Sequence, residues 1–138
     1  MSTGTRRRAR TVLAILGVAA STAACSGSPS AGSAERTAAA AVQASADRDS
    51  TALCALLAPD TAQHLEQQES APCAVAVQTL ELGQPSQPGQ AQVWGSSALV
   101  PVGSDAVFLT DVNGRWRVLA AGCTLRDKQP ADCKLGGG

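Results

Sequence analysis

Side chains suited to proton transfer are few in this chain. The only histidine, His64, sits among Asp60, Glu66 and Glu69, and a carboxylate can orient an imidazole for acid-base work. Asp60 and His64 are four residues apart on a polar stretch, however, which is the spacing of an ordinary exposed helical pair. The second candidate is Asp111 with Trp116, which face each other across an Asn113-Gly114 turn. A carboxylate beside an indole in a partly apolar cleft is a candidate acid, base or ligand anchor. The simpler expectation is that Asp111 lies at a solvated rim beside the turn and Trp116 in the core. Ser96, Ser97 and Ser104 fall in or beside turns without a Gly-x-Ser-x-Gly setting, so a serine hydrolase has no support. No phosphate loop or dinucleotide fingerprint occurs. The five cysteines contain no Cys-x-x-Cys, and no cofactor or metal is expected.

The N-terminus says where these residues work. Residues 1–24 have the parts of a secretory leader: Arg6, Arg7, Arg8 and Arg10, an apolar run from Val12 to Ala20, and a small-residue stretch to Ala24. The run is too short to span a bilayer, which takes about 20 apolar residues. Thr22-Ala23-Ala24-Cys25 resembles a bacterial lipobox, although Thr22 stands where leucine is usual. That resemblance implies that the Cys25 thiol carries diacylglycerol and becomes the mature N-terminus. Ser26 to Ser33, rich in Ser, Gly and Pro, reads as a flexible tether over 25–33, leaving 34–138 as the domain, with Gly136 to Gly138 as a frayed tail. The twin arginines lack the rest of a twin-arginine motif, so general secretion is expected.

Cleavage changes the charge. The 138-residue chain has 11 basic and 11 acidic side chains, but four of the basic ones belong to the leader. Seven against eleven remain, so the exported part is mildly acidic and has no electrostatic reason to bind nucleic acid or an anionic membrane surface. Its aromatics are only Trp94, Phe108 and Trp116, so any pocket must be lined mainly by small aliphatic side chains.

The elements that position these residues divide at Gly83. Before it the pattern is helical. Glu35 to Asp47 is alanine-rich and must pack closely; Asp49 or Ser50 caps a segment with Leu53, Leu56 and Leu57 on one face; Pro59 opens a third helix to Gln68. Ser70 and Pro72 start a fourth, marked by the stripe Cys73, Ala76, Val77 and Leu80. After the loop Gln84 to Gly89 the period is two, giving strands at 90–94, 98–102, 106–112 and 115–120. Asn113-Gly114 predicts a type I′ hairpin. Its register puts Val107, Leu109, Asp111, Trp116, Val118 and Ala120 on the core face, and Phe108, Thr110, Arg115, Arg117 and Leu119 on the other. The expected fold is α+β, helices on one side of a curved four-stranded antiparallel sheet.

The stretch Ala106 to Cys123, with its Gly-x-Trp-Arg-Val-x-Ala-Ala-Gly-Cys motif, Asp132-Cys133, Leu56-Leu57-Ala58-Pro59 and Pro72-Cys73 are similar to small actinobacterial lipoproteins with a nuclear-transport-factor-2-like cone. The resemblance spans about residues 34–135 and implies fold and location more than activity. With Cys25 assigned to lipid, Cys54, Cys73, Cys123 and Cys133 remain in an oxidising compartment, where disulfides are expected. Of three connectivities, Cys54–Cys73 with Cys123–Cys133 is favoured, because Cys54 and Cys73 both point to the helix-helix contact. The expected function is a non-enzymatic lipoprotein on the outer face of the cytoplasmic membrane, binding an envelope protein or a small apolar ligand. The alternative is an isomerase- or hydrolase-like pocket enzyme with Asp111 as acid-base and Trp116 as wall.

Overall fold

The computed structural model describes residues 29–136, an α+β domain with helices on one face of an open five-stranded antiparallel sheet. The leader and Cys25 lie outside the described residues. Helix α1 spans Ala31–Ala46, capped by the Ser30 hydroxyl, which accepts from the Ser33 amide. Residues 31–33, expected as tether, are therefore helical, because a serine cap before Ala31-Gly32-Ser33 satisfies the amides of the first turn. Ala34, Ala38 and Ala41 are fully buried. Their small side chains let the helix lie close to the sheet, as the alanine-rich composition demands.

Helix α2 (Ser50–Leu56) is capped by Asp49, whose carboxylate accepts from the Ala52 amide. Helix α3 (Pro59–Glu69) begins with proline at its first turn and ends at Ser70 in the left-handed region. The stripe after Pro72 makes only one α-turn, α4 (Cys73–Ala76), and then a 3₁₀ turn over Val77–Thr79. The segment stops there because its next residues are claimed by α1: the Ser45 hydroxyl donates to the Leu80 carbonyl and accepts from the Leu82 amide.

The strands are β1 (Gln92–Trp94), β2 (Ser97–Val102), β3 (Asp105–Val112), β4 (Arg115–Arg126) and β5 (Gln129–Leu135), in sheet order β1-β2-β3-β4-β5. The loop before β1 is tied down by the Gly89 amide, which donates to the Pro101 carbonyl. The fifth strand and the extension of β4 to Arg126 correct the expected count. Gln129 to Leu135 is polar and contains Pro130, which disguises it as a loop. Proline is tolerated there because β5 is a sheet edge.

The β3–β4 register agrees with the hairpin expectation from Val112↔Arg115 to Leu109↔Val118, then departs from it. Phe108 pairs with Ala120 and Ala106 with Cys123, so β4 carries an extra residue at Leu119 and another around Gly122. Each extra residue exchanges the faces of the residues beyond it. Ala120, expected in the main core, consequently lies on the opposite face with Leu99, Ala106 and Cys123, against half-buried Phe108. Leu119 is 45% exposed. The main core between helices and sheet holds Val42, Leu53, Leu57, Leu82, Val100, Val107, Leu109, Trp116, Val118 and Leu135.

The Leu119 bulge is where the helices grip the sheet. Leu57 forms a parallel bridge with Val118, the Ala58 amide donates to the Val118 carbonyl, and the buried Thr61 hydroxyl donates to the Leu119 carbonyl. The α2–α3 junction thereby takes up carbonyls for which the upper part of β4 has no fifth strand. Gly136 is packed as well, and not frayed: a Cβ there would collide with the Leu119 carbonyl oxygen. Gly137 and Gly138 lie outside the described residues.

Candidate functional site

Asp111 and Trp116 are directly paired across β3 and β4, as the hairpin predicts. Their side chains do different work. Asp111 Oδ1 accepts from the Gly114 amide at 2.8 Å, closing the turn in the manner of an Asx turn. The Asp111 backbone amide donates to the Ser96 carbonyl, which joins the β3–β4 turn to the β1–β2 turn. Trp116 is 4% exposed, and its indole Nε1 donates to the Ser30 carbonyl at 3.0 Å. An indole N–H needs a partner once buried, and this one finds the residue that caps α1. The pair therefore holds a turn and a helix start, and the two residues do not share a cleft.

Open clefts lie elsewhere among the described residues. One, of about 600 Å³, is at the C-terminal end of α1, between Ser45, Arg48, Leu80, Glu81, Gln84 and Lys134. Another of about 600 Å³ separates Ala55, Pro59 and Ala62 from Asn113, Arg115 and Arg117. Arg117 crosses this second cleft and donates to the Ala55 carbonyl. Both are open to solvent, the first mainly polar and the second of mixed lining. Neither Asp111 nor Trp116 lines them.

His64 is exposed on α3, in the same helix as Asp60, Glu66 and Glu69. Glu66 does not turn toward it; its Oε1 accepts from the Cys73 amide at 2.9 Å and so caps the start of α4. No group of three or more His, Cys, Asp or Glu side chains that could hold a metal ion occurs among the described residues.

The four cysteines of the domain pair as Cys54–Cys73 and Cys123–Cys133. The first joins α2 to α4, and the second bonds residues directly opposite on β4 and β5. Beside the second, Arg126 and Asp132 form an exposed ion pair. What sequence reasoning missed is the role of Ser30, taken for tether. Serine before an alanine-rich helical run is a cap signature, but its bond to an indole 86 residues away is a tertiary contact that no local pattern encodes.

No helix among the described residues is long and apolar enough to cross a membrane. Compared with known proteins, the chain matches no family model, no curated protein and no solved structure.

Proposed function

We propose that this chain is a non-enzymatic cell-envelope lipoprotein: a disulfide-stapled domain held on the outer face of the cytoplasmic membrane by acyl chains on Cys25, serving as a binding module for an envelope protein or a small apolar ligand. The observation that carries the reading is the distribution of cysteines. Four of the five pair within the domain, and the fifth stands directly after a leader-like stretch ending in Ala23-Ala24. Disulfides fit an oxidising compartment, and a diacylglyceryl group offers the paired chains that stable anchoring needs. The proposed fold type is the nuclear-transport-factor-2-like cone, supported by the antiparallel meander with helices on one face and by the Gly-x-Trp-Arg-Val motif at the start of β4. The polar commitments of Asp111 and Trp116 to backbone partners support a binding role over acid-base chemistry.

The test is intact-mass analysis of the protein from a membrane fraction. The expected result is loss of residues 1–24 and added acyl mass on Cys25, with Cys25→Ala releasing the protein from the membrane. A free thiol at Cys25 in membrane-bound protein would overturn the reading.

A further inference from the structure

We infer that the domain lies end-on against a phospholipid surface, with the β1–β2 turn and Trp94 in the interface; this deepens the lipoprotein reading and rests on it. The first support is where the chain leaves the fold. Helix α1 starts at Ala31, and its cap Ser30 is only five positions beyond Cys25. Fully extended, five residues span about 17 Å, less than the width of a domain whose radius of gyration is itself about 13 Å. Ser30 is fixed by the Trp116 indole, Trp116 pairs with Asp111, and the Asp111 amide bonds Ser96. The Trp116 backbone and the β1–β2 turn are therefore about two strand spacings apart, roughly 10 Å, and the attachment, held at the tip of the Trp116 indole, lies at the same end of the sheet.

The second support is what that end exposes. Trp94 and Val93, on opposite faces of β1 beside the Gly95-Ser96 turn, are 51% and 41% exposed. A half-exposed indole suits the boundary between water and acyl chains. The third is charge. Of the seven basic residues outside the leader, Arg36, Arg115 and Arg117 lie here, the Arg36 guanidinium folding back over Gly32. The acidic residues at this end are Glu35, Asp111 and, in the first turn of α3, Asp60; Glu35 and Asp111 accept from the backbone amides of Ala91 and Gly114. The other eight acidic residues lie farther along α3 or toward the opposite end. Three arginines against three carboxylates leave this end neutral, whereas the rest of the domain has four basic against eight acidic side chains, so the end from which the anchor leaves is the one least repelled by anionic lipid.

The two tryptophans supply the experiment, because Trp116 is buried and acts as an internal reference. Full-length protein extracted from membranes is reconstituted into phosphatidylglycerol/phosphatidylcholine vesicles with plain or brominated acyl chains, and tryptophan emission is compared. The brominated lipid is expected to remove Trp94's share of the emission, and Trp94→Phe to abolish the difference. An Arg36→Glu/Arg115→Glu variant is expected to weaken the quenching in these vesicles and to leave it unchanged in pure phosphatidylcholine. Acyl mass on Cys25 is read from the same samples. Acylated protein with equal emission in both lipids, or quenching undiminished in Trp94→Phe, would overturn the inference alone. An unmodified Cys25 would overturn the lipoprotein reading together with it.

Discussion

Asp111 can be read as an acid-base group or as a turn closure, and two substitutions separate the readings. Asn retains an oxygen for the Gly114 amide and removes the titrating proton. Asp111→Asn is therefore expected to keep stability within about 0.5 kcal/mol of wild type, whereas Asp111→Ala loses a hydrogen bond worth about 1 kcal/mol. Urea unfolding midpoints check this; an Asn variant as unstable as Ala would show that the turn bond is not what Asp111 contributes. At Trp116 the expected loss is larger. Trp116→Phe removes the donor to the Ser30 carbonyl and leaves space in a filled core, about 1–3 kcal/mol in total. Amide exchange should accelerate in the first turn of α1 more than in its last. The pairing of Asp111 with Trp116 is legible from Asn113-Gly114 alone. Their division into turn closure and helix anchor is not, because it depends on which backbone groups the fold brings to each side chain.

At the scale of elements the decisive feature is the Leu119 bulge. Thr61→Val preserves shape and removes the donor to the Leu119 carbonyl, stranding a polar group beneath α3 at a cost of about 1–3 kcal/mol. Thermal unfolding should register that loss, and Thr61→Ser, which keeps the hydroxyl, should recover part of it. Gly136 adds a second check. Its φ is +71° and a Cβ would collide with the Leu119 carbonyl, whereas Gly114, also at positive φ, has open space around it. Gly114→Ala is expected to cost about 1–2 kcal/mol, the left-handed penalty by itself, and Gly136→Ala clearly more; equal losses would show that the Gly136 contact is not rigid. Period-two patterning carries the register as far as Val118 and cannot anticipate the bulge. Leu119-Ala120-Ala121 is a run of small and apolar residues, with no polar one to mark which side faces water.

For the whole molecule, the two disulfides close short loops at opposite parts of the fold, with sequence separations of 19 and 10. Chain entropy makes each worth about 3 kcal/mol, a large share of the roughly 5–15 kcal/mol that holds a domain of this size. The Cys54→Ser/Cys73→Ser variant is expected to loosen α2 and α4, and Cys123→Ser/Cys133→Ser to fray β5, whose only fully buried apolar side chain is Leu135. Hydrogen exchange mapped along the chain distinguishes local fraying from uniform weakening. If either pair of substitutions left the unfolding midpoint unchanged, that bond would not be a staple of the fold.

The sequence by itself determined the division into helices and a meander, because hydrophobic period and turn residues act over a few positions. It also marked Asp49 or Ser50 as a cap and Asn113-Gly114 as a hairpin. Only the tertiary structure decided that α1 reaches back to Ala31, that the sheet has a fifth strand, that Ala120 changes face, and that Trp116 holds the point where the chain leaves toward Cys25. The helix start and the bulge depend on partners far along the chain, Trp116 for Ser30 and Thr61 for Leu119, and the fifth strand on pairing that its polar sequence does not announce. Local propensity is blind to such partners, since the groups they satisfy look the same in sequence whether water or protein completes them.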